Sequence, residues 1–322
     1  MQALLDTIST LTVDTCEQAN AQRVFHGRGG SYPGCEQWTL DWFAPVWLLT
    51  SFKPVDDHNL QQISDALAKR WRAIAPAGQA LNWVFQCRAT NPIQTQLMAG
   101  AVPEPHHVWE HGAQFKVHLL KGQNHGLFLD MANARQWVFD WVSQHPATQS
   151  PNPSLKVLNL FAYTCGFSVA ALRAGAKHVT NVDMSAGALA LGQLNHQING
   201  LHTGASFLPH DIFKTWAKVN RAGPYHLVVI DPPSFQKGSF VATKDYAKLI
   251  RRVPDLLRPG GVAVLCLNAP ELDTAFLNTL VAELAPQLQL LERLPNPSAF
   301  TDVAPERALK VLIYDAPLVL SA

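Results

Sequence analysis

Between residues 156 and 314 the chain alternates short, predominantly apolar runs with segments of helical spacing. The runs are KVLNLF (156–161), HVTNVD (178–183), ASFLP (205–209), YHLVVI (225–230), VAVLCL (262–267) and ALKVLIY (308–314). Helical segments fall at 166–174, 185–199, 243–257 and 272–285. A strand with no polar face is covered on both sides, and a helix between strands is the crossover that parallel pairing requires. The rhythm therefore predicts a doubly wound α/β domain over 151–322. Ligands of such sheets bind beyond the carboxyl ends of the strands, which directs attention to the loops that follow each run.

The first hundred residues follow another rhythm. Strand-like runs at 42–52 (WFAPVWLLTSF) and 82–88 (NWVFQCR) flank a helical pattern at 58–74, predicting a smaller α+β domain over 1–105 that is a candidate substrate- or RNA-binding module. Residues 106–150 read as a β-hairpin followed by a helix from about Asn133, a linking segment. The stretches AGAVPEPHH (99–107) and SQHPATQSPNPS (143–154) punctuate the chain, because prolines this dense continue neither a helix nor a central strand. Trp38, Trp42, Trp47 and Trp83 are expected in the core rather than as base-stacking platforms. GRGG (27–30) reads as flexible and basic.

Composition narrows the class. With 48% hydrophobic and 15% charged residues in 322, the chain can bury a full core and is not disordered. No apolar stretch approaches the roughly 20 residues of a membrane span. The N-terminus has no basic region and no small-residue cleavage site, so no signal peptide is read there. Five cysteines are scattered without a CxxC pair or zinc spacing, so the expectation is a cytoplasmic protein without a metal. The 25 Lys+Arg against 24 Asp+Glu give no overall basic excess, so a nucleic-acid partner would have to meet a local patch. Lys237, Lys244, Lys248, Arg251 and Arg252 supply a candidate; the same charges also read as one solvated helix face.

Four features follow four successive strands. AYTCGFS brings one glycine, Gly166, to the start of a helix, where backbone can approach a ligand and offer open N–H groups. It is not a GxGxxG, which counts against a dinucleotide. Asp183 is placed to accept from a ribose diol, Asp211 from an adenine amino group, and Asp231 opens DPPSF. Each acid alone reads equally well as a helix cap, and Asp183 before MSAGALALG is an example. Three acids and a small-residue loop at successive strand ends carry the argument together.

These stretches, NLFAYTCGFSVAALRAGAKHVTNVDMSAGALALGQLNHQING, HDIF, VVIDPPSF and the upstream HGLFLDMANAR, resemble the class I S-adenosylmethionine-dependent methyltransferases. More narrowly they resemble the large-subunit ribosomal RNA methyltransferases that modify cytosine C5 or guanine N7. The resemblance spans about 110–315 and implies a Rossmann-like seven-stranded sheet. It assigns Phe128, Asp130, Phe161, Tyr163, Thr164, Gly166, Asp183, Met184, Asp211 and Ile212 to the cofactor, S-adenosyl-L-methionine. It puts Asp231, Pro232 and Pro233 where methyl donor and acceptor meet, with Phe235 to stack on a flipped base. Arg135, Lys237, Lys244, Lys248 and Asn268 are the candidate substrate contacts.

Three departures from that group bear on the chemistry. Ala132 replaces the first of two arginines, leaving Arg135; Cys165 replaces a glycine; Asn268 stands where the cytosine-C5 enzymes carry their nucleophilic cysteine. Cytosine C5 requires thiolate addition at C6, whereas guanine N7 has a lone pair and needs no base. Cys266 lies two residues short of the nucleophile position inside an apolar strand and reads as a core residue. The expectation is N-methylation, of the guanine-N7 kind, of a (23S) ribosomal RNA base. Three alternatives stay open: a cytosine-C5 enzyme with a relocated cysteine, a methyltransferase for a small molecule or protein, and a non-catalytic cofactor- or RNA-binding protein of the same fold.

Overall fold

The computed structural model describes residues 1–12, 14, 20–75, 78–152, 154–233, 235–236 and 240–317. The chain forms two compact units, Met1–Leu129 with Pro297–Pro305, and Asp130–Asn296 with Glu306–Ala322. The segment 106–150 is thus shared between them. Its hairpin belongs to the first unit, while its helix belongs to the second because Ala134, Val138 and Val142 pack against Val157, Phe167 and Val179.

In the first unit, β1 (Gln22–His26), β2 (Trp38–Phe43), β3 (Val46–Ser51), β4 (Trp83–Cys87) and β5 (Gln94–Ala99) form one sheet in that order. Only the β3–β4 pair is parallel. The run read from sequence as one strand over 42–52 is the end of β2, a turn at Ala44–Pro45, and β3. Helices α1 (Gln2–Thr10) and α2 (Asp57–Ile74) complete the module. Asp56 caps α2 by accepting from Asn59 N–H at 2.7 Å, and Ile63, Leu67, Trp71 and Ile74 recur on its buried face. Trp38, Trp42, Trp47 and Trp83 are each at most 1% exposed, the core role expected of them. Truncating any of them to alanine costs about 3–5 kcal/mol. The hairpin β6 (His106–Glu110) and β7 (Ala113–Val117) follows.

The second unit is the doubly wound domain. Its strands are β8 (Lys156–Leu160), β9 (His178–Asp183), β10 (Ala205–Pro209), β11 (Tyr225–Ile230), β14 (Leu257–Leu267), β15 (Gln289–Arg293) and β16 (Lys310–Asp315). A short pair, β12 (Phe235–Gln236) and β13 (Phe240–Val241), precedes β14. The seven-stranded order is β10-β9-β8-β11-β14-β16-β15. The first five run parallel, and β16 is antiparallel to both its neighbours, β14 and β15. The carboxyl ends of β8, β9, β10 and β11 therefore share one edge. β15 escapes a sequence reading because its side chains are mostly exposed and carry no apolar run.

Strand side chains alternate between two apolar layers. Leu158, Leu160, Val228, Ile230 and Leu265 face one layer; Val157, Leu227, Val229, Val264 and Cys266 face the other. The helices of this unit are α3 (Ala132–Gln144), which precedes the sheet, the crossovers α4 (Gly166–Arg173), α5 (Ala186–Ile198), α6 (Trp216–Ala222) and α7 (Ala242–Ile250), and α8 (Thr274–Leu284) after β14. The helix expected over 243–257 stops at Ile250; a separate single turn, Val253–Leu256, has Pro254 in its opening turn.

Candidate functional site

The loop after β8 has a tightly constrained backbone. Phe161, Tyr163 and Cys165 all have left-handed φ, at 58°, 47° and 64°. A non-glycine residue there is disfavoured by contact between Cβ and its own backbone, and such clusters mark sites that the surroundings hold in place. The restraints are visible. Ala162 N–H donates to Val182 O at 3.0 Å, Tyr163 N–H donates to Asp183 Oδ2 at 2.8 Å, and Asn195 Nδ2 donates to Thr164 O at 3.0 Å. Phe161 meets Phe240 edge-on at 5.4 Å.

Beneath the loop runs a buried polar chain. Asn159 Nδ2 donates to Asn181 Oδ1 at 2.9 Å, and Asn181 Nδ2 donates to Ser168 Oγ at 3.0 Å. Ser168 then meets His196 Nε2 at 2.9 Å, and His196 Nδ1 reaches Gly192 O at 2.7 Å. The second contact makes Nδ1 the protonated nitrogen, so Ser168 Oγ donates to Nε2. This chain ties β8 and β9 to α4 and α5. Sequence reasoning missed it, although polar residues interrupting apolar strands (Asn159 and Asn181) were its signal.

At the end of β9, Asp183 spends one oxygen on Tyr163 N–H and the other on Ser185 N–H, at 2.7 Å. The helix-cap reading of Asp183 is set aside, since Ser185 caps α5 by accepting from Ala188 N–H at 3.1 Å. A carboxylate has about four lone-pair sites, so two remain for a ligand. Met184 beside it is 55% exposed, an apolar surface at the sheet edge. After β10, Asp211 does cap: it accepts from Phe213 N–H at 2.9 Å and faces Lys214 Nζ at 3.7 Å. Ile212 is buried in the core.

Three charged groups meet beyond β8 and β11. Asp231 follows Ile230, and burial pushes its carboxyl up to about 7; Asp130 pushes the same way and Arg135 opposes. Arg135 is buried, and its Cδ would lie 2.9 Å from a Cβ added at Gly166. Glycine at 166 is therefore required for the arginine to lie over the start of α4, a helix that no side chain caps. Pro232 is buried and Pro233 half-buried. Phe235 begins β12, but its side chain lies outside the described residues, as does Lys237.

Asn268 is exposed directly past β14. Lys310, wholly buried, donates to Ala269 O at 2.9 Å and Glu306 O at 2.7 Å, fixing the segment that carries Asn268. A lone lysine inside ALKVLIY was its unread signal. Cys266 is sealed in the core, where burial pushes its thiol well above the usual range, and burial does the same to Cys165. On α7, Lys244 and Lys248 are exposed; Lys248 pairs with Asp245 at 2.7 Å and lies 5.3 Å from the Phe213 ring. Arg252 falls beyond the end of α7 but sits 5.3 Å from the Trp216 ring. Phe128 is exposed in the first unit.

Among known proteins, a family model described as S-adenosylmethionine-dependent methyltransferase matches residues 22–315. Ribosomal RNA large subunit methyltransferase I of Aeromonas salmonicida is 31% identical over 198 residues, covering 60% of this chain and 48% of that protein. Ribosomal RNA large subunit methyltransferase K/L of Psychrobacter sp. is 37% identical over 183 residues, covering 54% of this chain and 21% of that protein. The chain thus spans about half the length of the first and a fifth of the second. The crystal structure of SMU.776 complexed with SAH superposes with a TM-score of 0.77 at 26% identity, over 98% of this chain and 81% of that one.

Proposed function

The chain belongs to the S-adenosylmethionine-dependent methyltransferase family, and from that premise we propose that it methylates a base of large-subunit ribosomal RNA, at nitrogen rather than at cytosine C5. The two curated relatives named above support the substrate class. The observation that carries the choice of atom is the contrast at the end of β14: Asn268 is exposed and Cys266 is sealed with its thiol held protonated. A C5 transfer needs an accessible thiolate, and neither Cys266 nor Cys165 offers one.

The residues fit the cofactor. Asp183 keeps lone pairs for a ribose diol, Met184 offers an apolar surface for adenine, and Asp211 with Ile212 lies beyond β10 for the ring's edge. The backbone of Phe161, Tyr163, Thr164 and Gly166 forms the wall of that cradle. When bound, S-adenosylmethionine supplies a methyl group on a sulfonium, already electrophilic. What remains for the chain is alignment and exclusion of water. Guanine N7 needs no base, so Asp231 and the Pro232 carbonyl serve as acceptors that orient the base by its N–H groups. Arg135 and Asn268 contribute donors at the rim, and Phe235 a face for stacking. Lys237, Lys244 and Lys248 are the backbone-phosphate contacts.

The test is to incubate the full chain with large-subunit ribosomal RNA and isotopically labelled S-adenosylmethionine, digest to nucleosides and weigh them. Label in 7-methylguanosine is the expected result. Label in 5-methylcytidine would overturn the choice of atom, and no label in RNA would overturn the substrate.

A further inference from the structure

The first unit gathers two arginines around one aromatic ring, and the sheet explains why. Arg28 follows β1, Phe52 follows β3 and Arg88 follows β4; with β3 and β4 parallel and β1 antiparallel to β2, all three reach the same end of the sheet. The Arg28 guanidinium carbon stands 3.9 Å from the Phe52 centroid and that of Arg88 5.5 Å.

The GRGG segment is not flexible, as its composition led us to expect. Gly27–Gly29 form one 3-10 turn, packed so closely that a Cβ on Gly27 would come within 1.9 Å of Cys35 O, and one on Gly29 within 1.9 Å of Thr301 O. The turn therefore presents Arg28 from a pinned backbone. Arg88 is fixed too: its Nε donates to Gln86 Oε1 at 2.8 Å and its Nη2 to Gln123 O at 2.7 Å.

Two carboxylates act on His26 at this end of the sheet, Asp41 and Asp302, and the first is already committed. Asp41, 5% exposed, accepts Arg23 in a bidentate pair, at 2.7 and 3.0 Å. Among the described residues neither Arg28 nor Arg88 has a carboxylate within ion-pair distance. His26 and His125 add no further positive charge, since burial pushes both down to about 4. His125 Nδ1 donates to His118 O at 3.1 Å, which leaves its buried Nε2 an acceptor with no donor among the described residues. Two guanidinium groups set against one ring, with burial and Arg23 opposing the charge of both and Arg28 that of Arg88, form a preorganised anion site.

We infer that Arg28 and Arg88, backed by the Arg23–Asp41 pair and the Phe52 ring, bind backbone phosphates of the RNA substrate on the first unit. Planar guanidinium groups match phosphate oxygens in pairs, and contact with the backbone positions an RNA without reading its sequence. The identity of the anion rests on the ribosomal RNA reading above.

The test measures binding of the full chain to large-subunit ribosomal RNA at several salt concentrations, for wild type, Arg28→Met, Arg88→Met and the double variant. Methionine keeps the apolar stem, and Arg28, whose recorded contact is with the ring alone, can be changed without breaking a hydrogen bond. The double variant should bind at least about tenfold more weakly and lose about 1.5 from the slope of log affinity against log salt. Its affinity for S-adenosylmethionine should be unchanged, and Lys69→Ala on exposed α2 should bind RNA as wild type does. Wild-type RNA binding by the double variant, or an equal loss in Lys69→Ala, would overturn the site. So would competition by inorganic phosphate with no RNA binding by wild type. If wild type binds RNA through these arginines yet transfers no methyl to it, the site stands and the ribosomal RNA methylation reading fails.

Discussion

Asp183 Oδ2 accepts the N–H of Tyr163, a left-handed residue 20 positions earlier in the chain, at 2.8 Å. The contact crosses from the end of β9 to the loop after β8, so one carboxylate shapes that loop and, on the function proposed above, also takes the ribose. Asp183→Ala removes the anchor and the ribose acceptor together. S-adenosylmethionine binding should weaken about 10- to 100-fold, or roughly 1–3 kcal/mol. Asp183→Asn should fall between, because an amide keeps one acceptor and points a donor at a backbone N–H. Titration calorimetry of the three proteins checks the order.

Cys165 and Gly192 form a second coupled pair. A Cβ on Gly192 would lie 2.5 Å from Cys165 Sγ, so the cysteine in this loop is accommodated by a glycine on α5. Gly192→Ala alone should destabilise by about 1–3 kcal/mol through overpacking. Cys165→Gly removes the sulfur and relieves the left-handed φ of 64°. The two changes together should therefore cost less than their sum, by about 1 kcal/mol or more. Urea unfolding of the four members of the cycle measures it.

These pairings also mark where the sequence could and could not be read. Strands β8, β9, β10 and β11 were legible because apolar runs bounded by helices leave few alternatives, and Asp183 and Asp231 followed from their place at strand ends. The Asn159–Asn181–Ser168–His196 chain was not, since its members lie far apart in sequence and only the sheet order makes them neighbours. The exposed edge strand β15 and the division of 106–150 between two units depend on which surface a residue meets. The GRGG segment illustrates the same limit: its composition suggested flexibility, and the close approach of Cys35 to Gly27 and of Thr301 to Gly29 pins its backbone.

Cys266→Ser tests the assignment of the methylated atom. Sealed in the core with its thiol pushed well up, Cys266 should be dispensable for transfer. We expect kcat within about twofold of wild type and a stability loss of about 1–2 kcal/mol from burying a hydroxyl. A folded variant with wild-type cofactor affinity and no transfer would instead make Cys266 the nucleophile of a C5 reaction. Single-turnover transfer alongside thermal unfolding separates these outcomes.

Asp231 carries the pH dependence. Its carboxyl is pushed up to about 7 by burial first and by Asp130 second, so the folded chain holds a proton that the unfolded chain releases near pH 4. The folded state binds more protons between those values, and stability from this group therefore declines as pH rises from about 4 to 7. Asp130 and Asp231 interact, so the decline belongs to the pair. Asp231→Asn removes the ionisation. It should raise Tm at pH 8 by about 2–4 °C, corresponding to roughly 1 kcal/mol, and leave Tm at pH 4 nearly unchanged. The same variant should lower kcat at least tenfold, since an amide presents a donor where the carboxylate accepts from the base. Scanning calorimetry at the two pH values, with transfer rates at pH 8, checks both halves. A lower Tm at pH 8 would mean that attraction between Arg135 and the ionised Asp231 outweighs the cost of burying the charge.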